Sequence, residues 1–166
     1  MLFRSKLSSR FPKDKRFHAY NLALSNQEGS ESFHLNDYSY SSSLLNMKST
    51  HHEHFKETKR ESIIEVKTSP LDKVLDIHKI KKNIFIKMDV QGAEIKVIQG
   101  ATRILSQAKA VVAEVSFVSL YEGGPLFDEL YQVMKGLGFE YHGSIGQLHS
   151  PVHGQVLQQD SLFLKA

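Results

Sequence analysis

Three charged residues lie inside otherwise apolar segments of this sequence, where a charge needs a partner or a function. Lys87 and Asp89 occur in IFIKMDVQGAE, residues 84–94, and Glu114 occurs in AVVAEV, residues 110–115. Lys87 and Asp89 are two residues apart, so they share one face of a strand. A charge removed from water is costly unless it is paired. The pattern therefore predicts a cluster of Lys87, Asp89 and Glu114, either at a functional site or in an ion network that only fixes the sheet.

The periodicity of the surrounding segments predicts the elements that position this cluster. Strands are predicted at 63–66, 84–89, 110–115, 139–142 and 161–164, and helices are predicted to begin at Pro70, Glu94 and Pro125. Alternating strands and helices indicate an α/β fold with a mostly parallel sheet, because parallel strands are buried on both faces by helices. Ligands bind such sheets at the carboxyl ends of the strands, which is where Asp89 lies. The last two strands are predicted to form an antiparallel pair after a turn-rich segment at 143–159.

The amino-terminal part of the chain is patterned differently from the rest. Residues 1–61 are polar and irregular, whereas residues 62–166 alternate clearly between apolar and polar segments. We predict a single domain, 1–166, whose first part is loosely ordered, with strands at 17–24 and 30–35 and a loop over 36–60 that could contain a helical turn. The histidines at 51–54 could bind a metal, but the stretch is polar on every side. A solvated loop is the favoured interpretation, and no metal site is predicted.

Composition excludes several classes of protein. The chain has 166 residues with 21 Lys and Arg against 18 Asp and Glu, so no strong basic character indicates a nucleic-acid partner. No apolar run approaches the roughly 20 residues of a membrane span, and the start is not a convincing signal peptide. There is no cysteine, which excludes a catalytic thiol and weakly favours a reducing compartment. The expected protein is cytoplasmic, with no membrane or nucleic-acid partner.

The segment KMDVQGAEIKVIQGA, residues 87–101, resembles the hallmark of the FkbM family of S-adenosylmethionine-dependent methyltransferases. The usual form is K-I-D-V-E-G-A-E followed by a helix that ends in K-G-A. Gln91 stands where Glu is commoner, a change that we interpret as minor. Further segments resemble the family in its own order: a strand and turn at 19–29, a serine-rich loop at 41–45, a V-x-T-x-x-L-D segment at 66–72, a strand and loop at 112–123, and a closing strand at 160–163.

The resemblance implies a three-layer Rossmann-like sheet, mostly parallel with an antiparallel closing strand. The implied strand order is third, second, first, fourth, fifth, seventh, sixth, with residues 17–24 as the third strand and 84–89 as the fourth. Nothing here matches the first two strands, which carry the glycine loop and the ribose-binding acid; no glycine precedes Gly29. We therefore expect an amino-terminally incomplete domain that binds the methyl donor weakly or not at all. The fourth strand would then have an exposed edge, through which two copies could associate.

The function implied by the resemblance is methyl transfer from S-adenosylmethionine to an oxygen of a small molecule such as a sugar. Asp89 is expected to orient the donor or the acceptor, while Lys87 and Glu114 hold Asp89 and tune its charge. The residue that acts as a base stays open. Ala23 and Leu24, in the segment similar to the third strand, are the other expected donor-binding residues. The alternative is a catalytically inactive fragment that keeps the fold as a binding or assembly module.

Overall fold

The fold contains seven strands and five short helices in a computed structural model that describes residues 14, 16–36, 41–59, 61–80 and 83–166. Two 3₁₀ turns follow α1 and α2, at Lys56–Lys59 and Ile77–Lys79. The strands are β1 (Ala23–Leu24), β2 (Gly29–Asn36), β3 (Glu61–Ser69), β4 (Ile84–Met88), β5 (Ala108–Ser116), β6 (Phe139–His149) and β7 (Val156–Lys165). The helices are α1 (Ser49–His54), α2 (Leu71–Val74), α3 (Glu94–Gln99), α4 (Thr102–Gln107) and α5 (Phe127–Gly136).

A four-stranded sheet in the order β4-β5-β7-β6 positions the predicted charged cluster. β4 pairs with β5 in parallel, and β7 runs antiparallel to both of its neighbours. For this half of the sheet the resemblance implies the strand order fourth, fifth, seventh, sixth. The structure has this order and also has the antiparallel closing strand. Only one of the three strand pairs in this sheet is parallel, so the expectation of a mostly parallel sheet is wrong.

The hairpin of β6 and β7 explains why the sheet is mixed. Residues 143–159 were expected to be turn-rich, but β6 continues to His149 and β7 begins at Val156. The pairing register of β6 shifts beside Gly143 and again beside Gly146. Glycines at such irregularities let a strand bend and continue, so a segment that resembles a turn in sequence lengthens the antiparallel hairpin.

The main core lies on one face of this sheet, beneath the helices. β5 supplies Val111, Ala113 and Val115, which are fully buried or nearly so, and they belong to one apolar cluster with Ile98 from α3 and Met134 from α5. Alternate residues of β5 point to the opposite face, where Glu114 lies. The alternation thus places Val111, Ala113 and Val115 under the helices and puts Glu114 on the other face, together with Val112.

A second sheet, in the order β1-β3-β2, carries the amino-terminal strands. β1 pairs with β3 in parallel and β2 pairs with it antiparallel. The predicted strand at 17–24 is reduced to Ala23–Leu24, whereas the one at 30–35 is confirmed and extends over Gly29–Asn36. The fold is therefore a mixed α/β structure with two sheets.

Gly100 allows the second sheet to approach the helices. A Cβ atom at this position would lie 2.2 Å from the backbone oxygen of Ser25, which immediately follows β1. The helix predicted to begin at Glu94 is interrupted here and forms α3 and α4. Only glycine leaves room for this main-chain contact.

The stretch predicted as a loop over 36–60, with a possible helical turn, contains a short helix whose histidines are buried rather than solvated. α1 spans Ser49–His54, and His51 and His54 are buried. The ring of His51 packs edge-on against Tyr121 at 5.4 Å between centroids, and Nδ1 of His54 lies 3.0 Å from Oγ of Ser150. A helix whose buried face consists of histidines has no apolar stripe, so periodicity does not reveal it. Among the described residues, no group of three or more His, Cys, Asp and Glu is arranged to hold a metal ion.

Within residues 16–36, 41–59, 61–80 and 83–166, no helix has the length and apolar character that crossing a membrane requires.

The free edge of β4 leads to a prediction about self-association. Within the described chain β4 has one neighbour, and its Phe85 side chain is 61% exposed. Unpaired N–H and C=O groups beside an exposed apolar residue favour pairing with another strand. We expect the protein to form dimers as its concentration rises, and Phe85→Ser to weaken dimerisation severalfold in size-exclusion chromatography with light scattering.

Val152→Ser is the matched control, because Val152 is similarly exposed, at 58%, but lies in the turn between β6 and β7. A wild-type protein that stays monomeric over the whole concentration range would contradict the prediction. So would equal effects of the two substitutions.

Candidate functional site

The turn after β4 brings the site residues together. β4 ends at Met88, and Gln91 and Gly92 have positive φ values of 52° and 94° before α3 begins at Glu94. A Cβ atom on Gly92 would lie 3.0 Å from Cβ of Tyr121, so this position needs glycine for space as well as for conformation. The backbone N–H of Gly92 donates to the Glu94 carboxylate at 3.1 Å. The turn is therefore held rigidly against the core.

Gln91 is the centre of a hydrogen-bond network. Its Nε2 donates to Oδ1 of Asp89 at 2.8 Å and to Oε2 of Glu114 at 2.9 Å. Its Oε1 accepts from the Tyr121 hydroxyl at 2.9 Å, and its backbone oxygen accepts from the Ser43 hydroxyl at 2.7 Å. One amide thus links the ends of β4 and β5 to the serine-rich loop.

Lys87 lies between two carboxylates on the face of the sheet opposite α3, α4 and α5. Its Nζ binds Oδ1 of Asp160, on β7, and lies 3.7 Å from Oδ2 of Asp89. The side chains of Lys87 and Asp89 are 40% and 46% exposed. Because solvent screens these groups, we expect the ion pairs to contribute little to stability.

Glu114 is the most strongly perturbed acid of the site. Burial, followed by nearby negative charges, raises its pKa to about 8 against the opposing effect of Lys87. Those negative charges belong to Asp89, Glu94 and Asp160. Its Oε2 also accepts from Nε2 of Gln158 at 2.8 Å. At neutral pH this carboxyl group is therefore mostly protonated.

Two further groups behind the turn are buried. Burial raises the pKa of Glu94, against the opposing hydrogen bonds from backbone N–H groups. Burial also raises the pKa of the Tyr121 hydroxyl, whose oxygen lies 3.1 Å from the Ser41 carbonyl oxygen, so its one proton is shared between that oxygen and Oε1 of Gln91. Tyr121 belongs to a small second core with Leu120 and Leu157.

A cleft of about 290 Å³ opens beside Glu114. It lies over β5, β6 and β7, and its walls are Glu114, residues 146–148 and residues 158–160. Gln158 and Gln159 are buried in its wall. Small-molecule sites typically have volumes of about 300–1,000 Å³, so this cleft is at the lower end of that range.

The chain matches one family model, that of the methyltransferase FkbM domain, over residues 5–141. The match spans most of the sequence and contains the whole turn after β4. The chain belongs to the FkbM methyltransferase family. No curated protein and no solved structure gave a significant match.

The structure brings together the three catalytic residues predicted for this FkbM domain. Lys87 contacts Asp89 directly, and Glu114 is joined to Asp89 through Gln91. The two other predicted donor-binding residues, Ala23 and Leu24, lie on the second sheet, where they pair with Thr68 and Ser69. Their role in binding the donor stays a prediction.

Four residues of the site were not predicted as members: Gln91, Tyr121, Gln158 and Asp160. Asp160 faces Glu114 across the β5–β7 pair, and Gln158 faces Ser116. The signal that could have found Asp160 is its position just before the apolar closing strand. Its register against β5 is not readable from the sequence. Both β7 residues lie beyond the part of the chain that matches the FkbM model.

The pKa of Glu114 predicts a dependence of stability on pH. Between its ordinary pKa of 4.5 and its raised value of about 8, the folded protein keeps a proton that the unfolded chain releases. The free energy of unfolding should therefore fall as pH rises through this window, by on the order of a few kcal/mol, and then stay level. We expect Glu114→Gln to remove most of this fall, as measured by urea unfolding from pH 5 to pH 9.

Glu140→Gln serves as the control, because that carboxylate is 70% exposed on β6. Parallel pH profiles for wild type and Glu114→Gln would show that Glu114 titrates normally.

The turn at Gly92 leads to a second prediction. Gly92→Ala should destabilise the fold by about 1 kcal/mol from its positive φ, and by roughly 1–3 kcal/mol more from the clash with Tyr121. Gly123→Ala is the matched control, since Gly123 has φ of 70° but an added Cβ there would meet nothing within 4 Å. If urea unfolding shows that both variants lose the same free energy of unfolding, the added methyl group of Gly92→Ala is accommodated beside Tyr121 without strain.

Proposed function

We propose that this chain transfers a methyl group from S-adenosylmethionine to an oxygen atom of a small molecule. Membership of the FkbM family supports methyl transfer in general. The observation that carries the finer proposal is the acidic cluster at the carboxyl end of β4, where Asp89 remains half exposed beside a glycine turn. The order β4-β5-β7-β6 supports a Rossmann-like methyltransferase sheet, in which ligands bind at this edge.

The residues at this edge fit one part of the donor. S-adenosylmethionine supplies a methyl group that is already activated by a positively charged sulfur. Asp89 presents a half-exposed carboxylate of the opposite charge at the start of the turn. The cleft beside Glu114 is small for a complete donor and fits a smaller acceptor better.

The roles of the three charged residues follow from their contacts. Asp89 orients the reacting groups, since its carboxylate is the most exposed of the three. Lys87 and Gln91 each hold one oxygen of Asp89, so the carboxylate has a fixed direction. Glu114 acts on Asp89 through Gln91, as a positioning residue. The protein contributes alignment, because the methyl group is activated before it binds.

Titration with the donor tests the proposal. We expect S-adenosylmethionine to shift the backbone amide NMR signals of residues 89–92, with a dissociation constant weaker than the low micromolar range. Asp89→Asn should weaken this binding at least threefold, about 0.7 kcal/mol. It should also lower the rate of transfer of a labelled methyl group to a mixture of hydroxyl acceptors. The unfolding midpoint should change little, because Asp89 is exposed.

Asp128→Asn is the control, since Asp128 is an exposed carboxylate in the first turn of α5. An unchanged response of residues 89–92 in Asp89→Asn would remove Asp89 from the site. If no residue responds to the donor and no label is transferred, the alternative of a non-catalytic binding module is favoured.

A further inference from the structure

Three side-chain oxygens at the cleft over β5, β6 and β7 receive no hydrogen bond from the described part of the chain. The bonds to Glu114 and to Asp160 end on Oε2 and on Oδ1, so Oε1 of Glu114 and Oδ2 of Asp160 accept none. Oε1 of Gln158 accepts none either, although this side chain in the cleft wall is only 4% exposed. Its Nε2 donates to Glu114 and, at 3.3 Å, to Oγ of Ser116, which leaves the amide oxygen for a donor from outside.

Asp160 connects the cleft to the charged residues of β4. Its Oδ1 binds Lys87, whereas its Oδ2 lies on the side of Gly146, where an added Cβ atom would come within 3.9 Å of it. Gly146 and Asp160 face each other in the β6–β7 pair, and both line the cleft. Because Gly146 has no side chain, Oδ2 of Asp160 is open to a ligand in the cleft.

The charged groups around Glu114 contain more acids than cations. Of the described groups that act most strongly on it, one is a cation, Lys87, and three are acids: Asp89, Glu94 and Asp160. Tyr121 also interacts with Glu114, and burial raises the pKa of its hydroxyl, so it carries no charge at neutral pH. Burial and the excess of negative charge together keep Glu114 protonated at neutral pH.

An ammonium group supplies both the donors and the charge that these oxygens lack. It has three N–H donors, and a charged donor makes stronger hydrogen bonds than a neutral one. We propose that the cleft binds the primary ammonium group of a small molecule, with Gln158 and Asp160 as acceptors and with ionised Glu114 as the third. The cation takes the place of a proton: the O–H bond of Glu114 breaks, the proton passes to solvent, and the carboxylate pairs with the ammonium group.

For the methyl transfer proposed above, this site makes the acceptor a molecule that carries both an amine and a hydroxyl group. A protonated amine has no free electron pair, so it is held in the cleft while the hydroxyl oxygen receives the methyl group. Gln91 joins Glu114 to Asp89, which brings a ligand on Glu114 next to the edge proposed for the donor. The role as acceptor rests on the proposed function, whereas the binding of an ammonium group does not.

The first test is an NMR titration of the whole chain with ethanolamine, without donor. Its four non-hydrogen atoms allow a dissociation constant on the order of 1 mM, and binding should shift the amides of residues 146–148 and 158–160. Ethylene glycol, a neutral molecule of the same size, should bind at least tenfold more weakly. Choline, which has the charge but no N–H donor, should bind at least threefold more weakly. Equal binding of either molecule, or no shifts with ethanolamine, would overturn the proposal.

Two variants test the residues of the cleft. Asp160→Asn should weaken ethanolamine binding at least tenfold, while Glu140→Gln, which removes an exposed carboxylate of β6, should change it less than twofold. Because Asp160→Asn leaves Lys87 without its closest partner, Gly146→Leu is a second variant that changes no charge. Its side chain would occupy the space beside Oδ2 of Asp160 and should also weaken binding at least tenfold. Equal effects of Asp160→Asn and Glu140→Gln, or undiminished binding by Gly146→Leu, would contradict the assignment.

Proton release tests the exchange at Glu114. Calorimetric titrations at pH 7.5 in phosphate and in Tris, which differ in ionisation enthalpy, should show that ethanolamine releases most of one proton, because the pKa of Glu114 is raised to about 8. Affinity should rise severalfold from pH 6.5 to pH 8.5 as Glu114 ionises, since an aliphatic amine stays charged over this range. Glu114→Gln should bind without proton release and with little dependence on pH. Binding to the wild-type protein without proton release would overturn the proposal.

The donor titration of residues 89–92 separates the two proposals. Ethanolamine binding at the cleft without any donor response would leave the cleft assignment intact and remove the proposed methyl transfer. A donor response at residues 89–92 without ethanolamine binding would do the reverse.

Discussion

The side-chain amide of Gln91 separates two carboxyl groups that lie at the ends of neighbouring strands. Its Nε2 is the common donor to Asp89 and Glu114, while Tyr121 and Ser43 fix its own oxygens. An amide can donate to both acids at once, whereas a carboxylate has no proton to donate and a protonated carboxyl group has only one. Three features hold this amide in place: the positive φ of Gln91, the glycine that follows it and the buried Tyr121 behind it. The rest of the site is built around the amide that they fix. The change from Glu, interpreted as minor from the sequence, lies at the centre of the network.

Much of the fold near the site could be predicted because its signals are local. The apolar runs of β4 and β5 and the glycine turn between β4 and α3 are each visible within about ten residues. The FkbM hallmark lies in that same stretch, so the family was recognised from the segment that also contains Lys87 and Asp89. Glu114 could be added because a charge inside an apolar strand is conspicuous.

What could not be predicted depends on contacts between distant segments. The long β6–β7 hairpin is hidden by glycines and polar residues that resemble a turn, and its register is what places Asp160 beside Lys87. The helix α1 is hidden because its buried face consists of histidines, whose partners, Tyr121 and Ser150, lie far along the chain. Side-chain pairings of this kind follow from tertiary packing, which single-sequence periodicity does not encode.

The separation of the site residues along the chain also determines when the site can form during synthesis. Lys87 and Asp160 are 73 residues apart, and Glu114 is 44 residues from Gln158. β5 is complete before α5, β6 and β7 have been made, so a growing chain holds Glu114 on a strand that lacks its antiparallel neighbour. Contacts over such distances form slowly, and an unpaired apolar strand is prone to wrong pairing in the meantime. β7, which is synthesised after the other strands of this sheet, therefore both joins β5 to β6 and completes the polar network around Glu114.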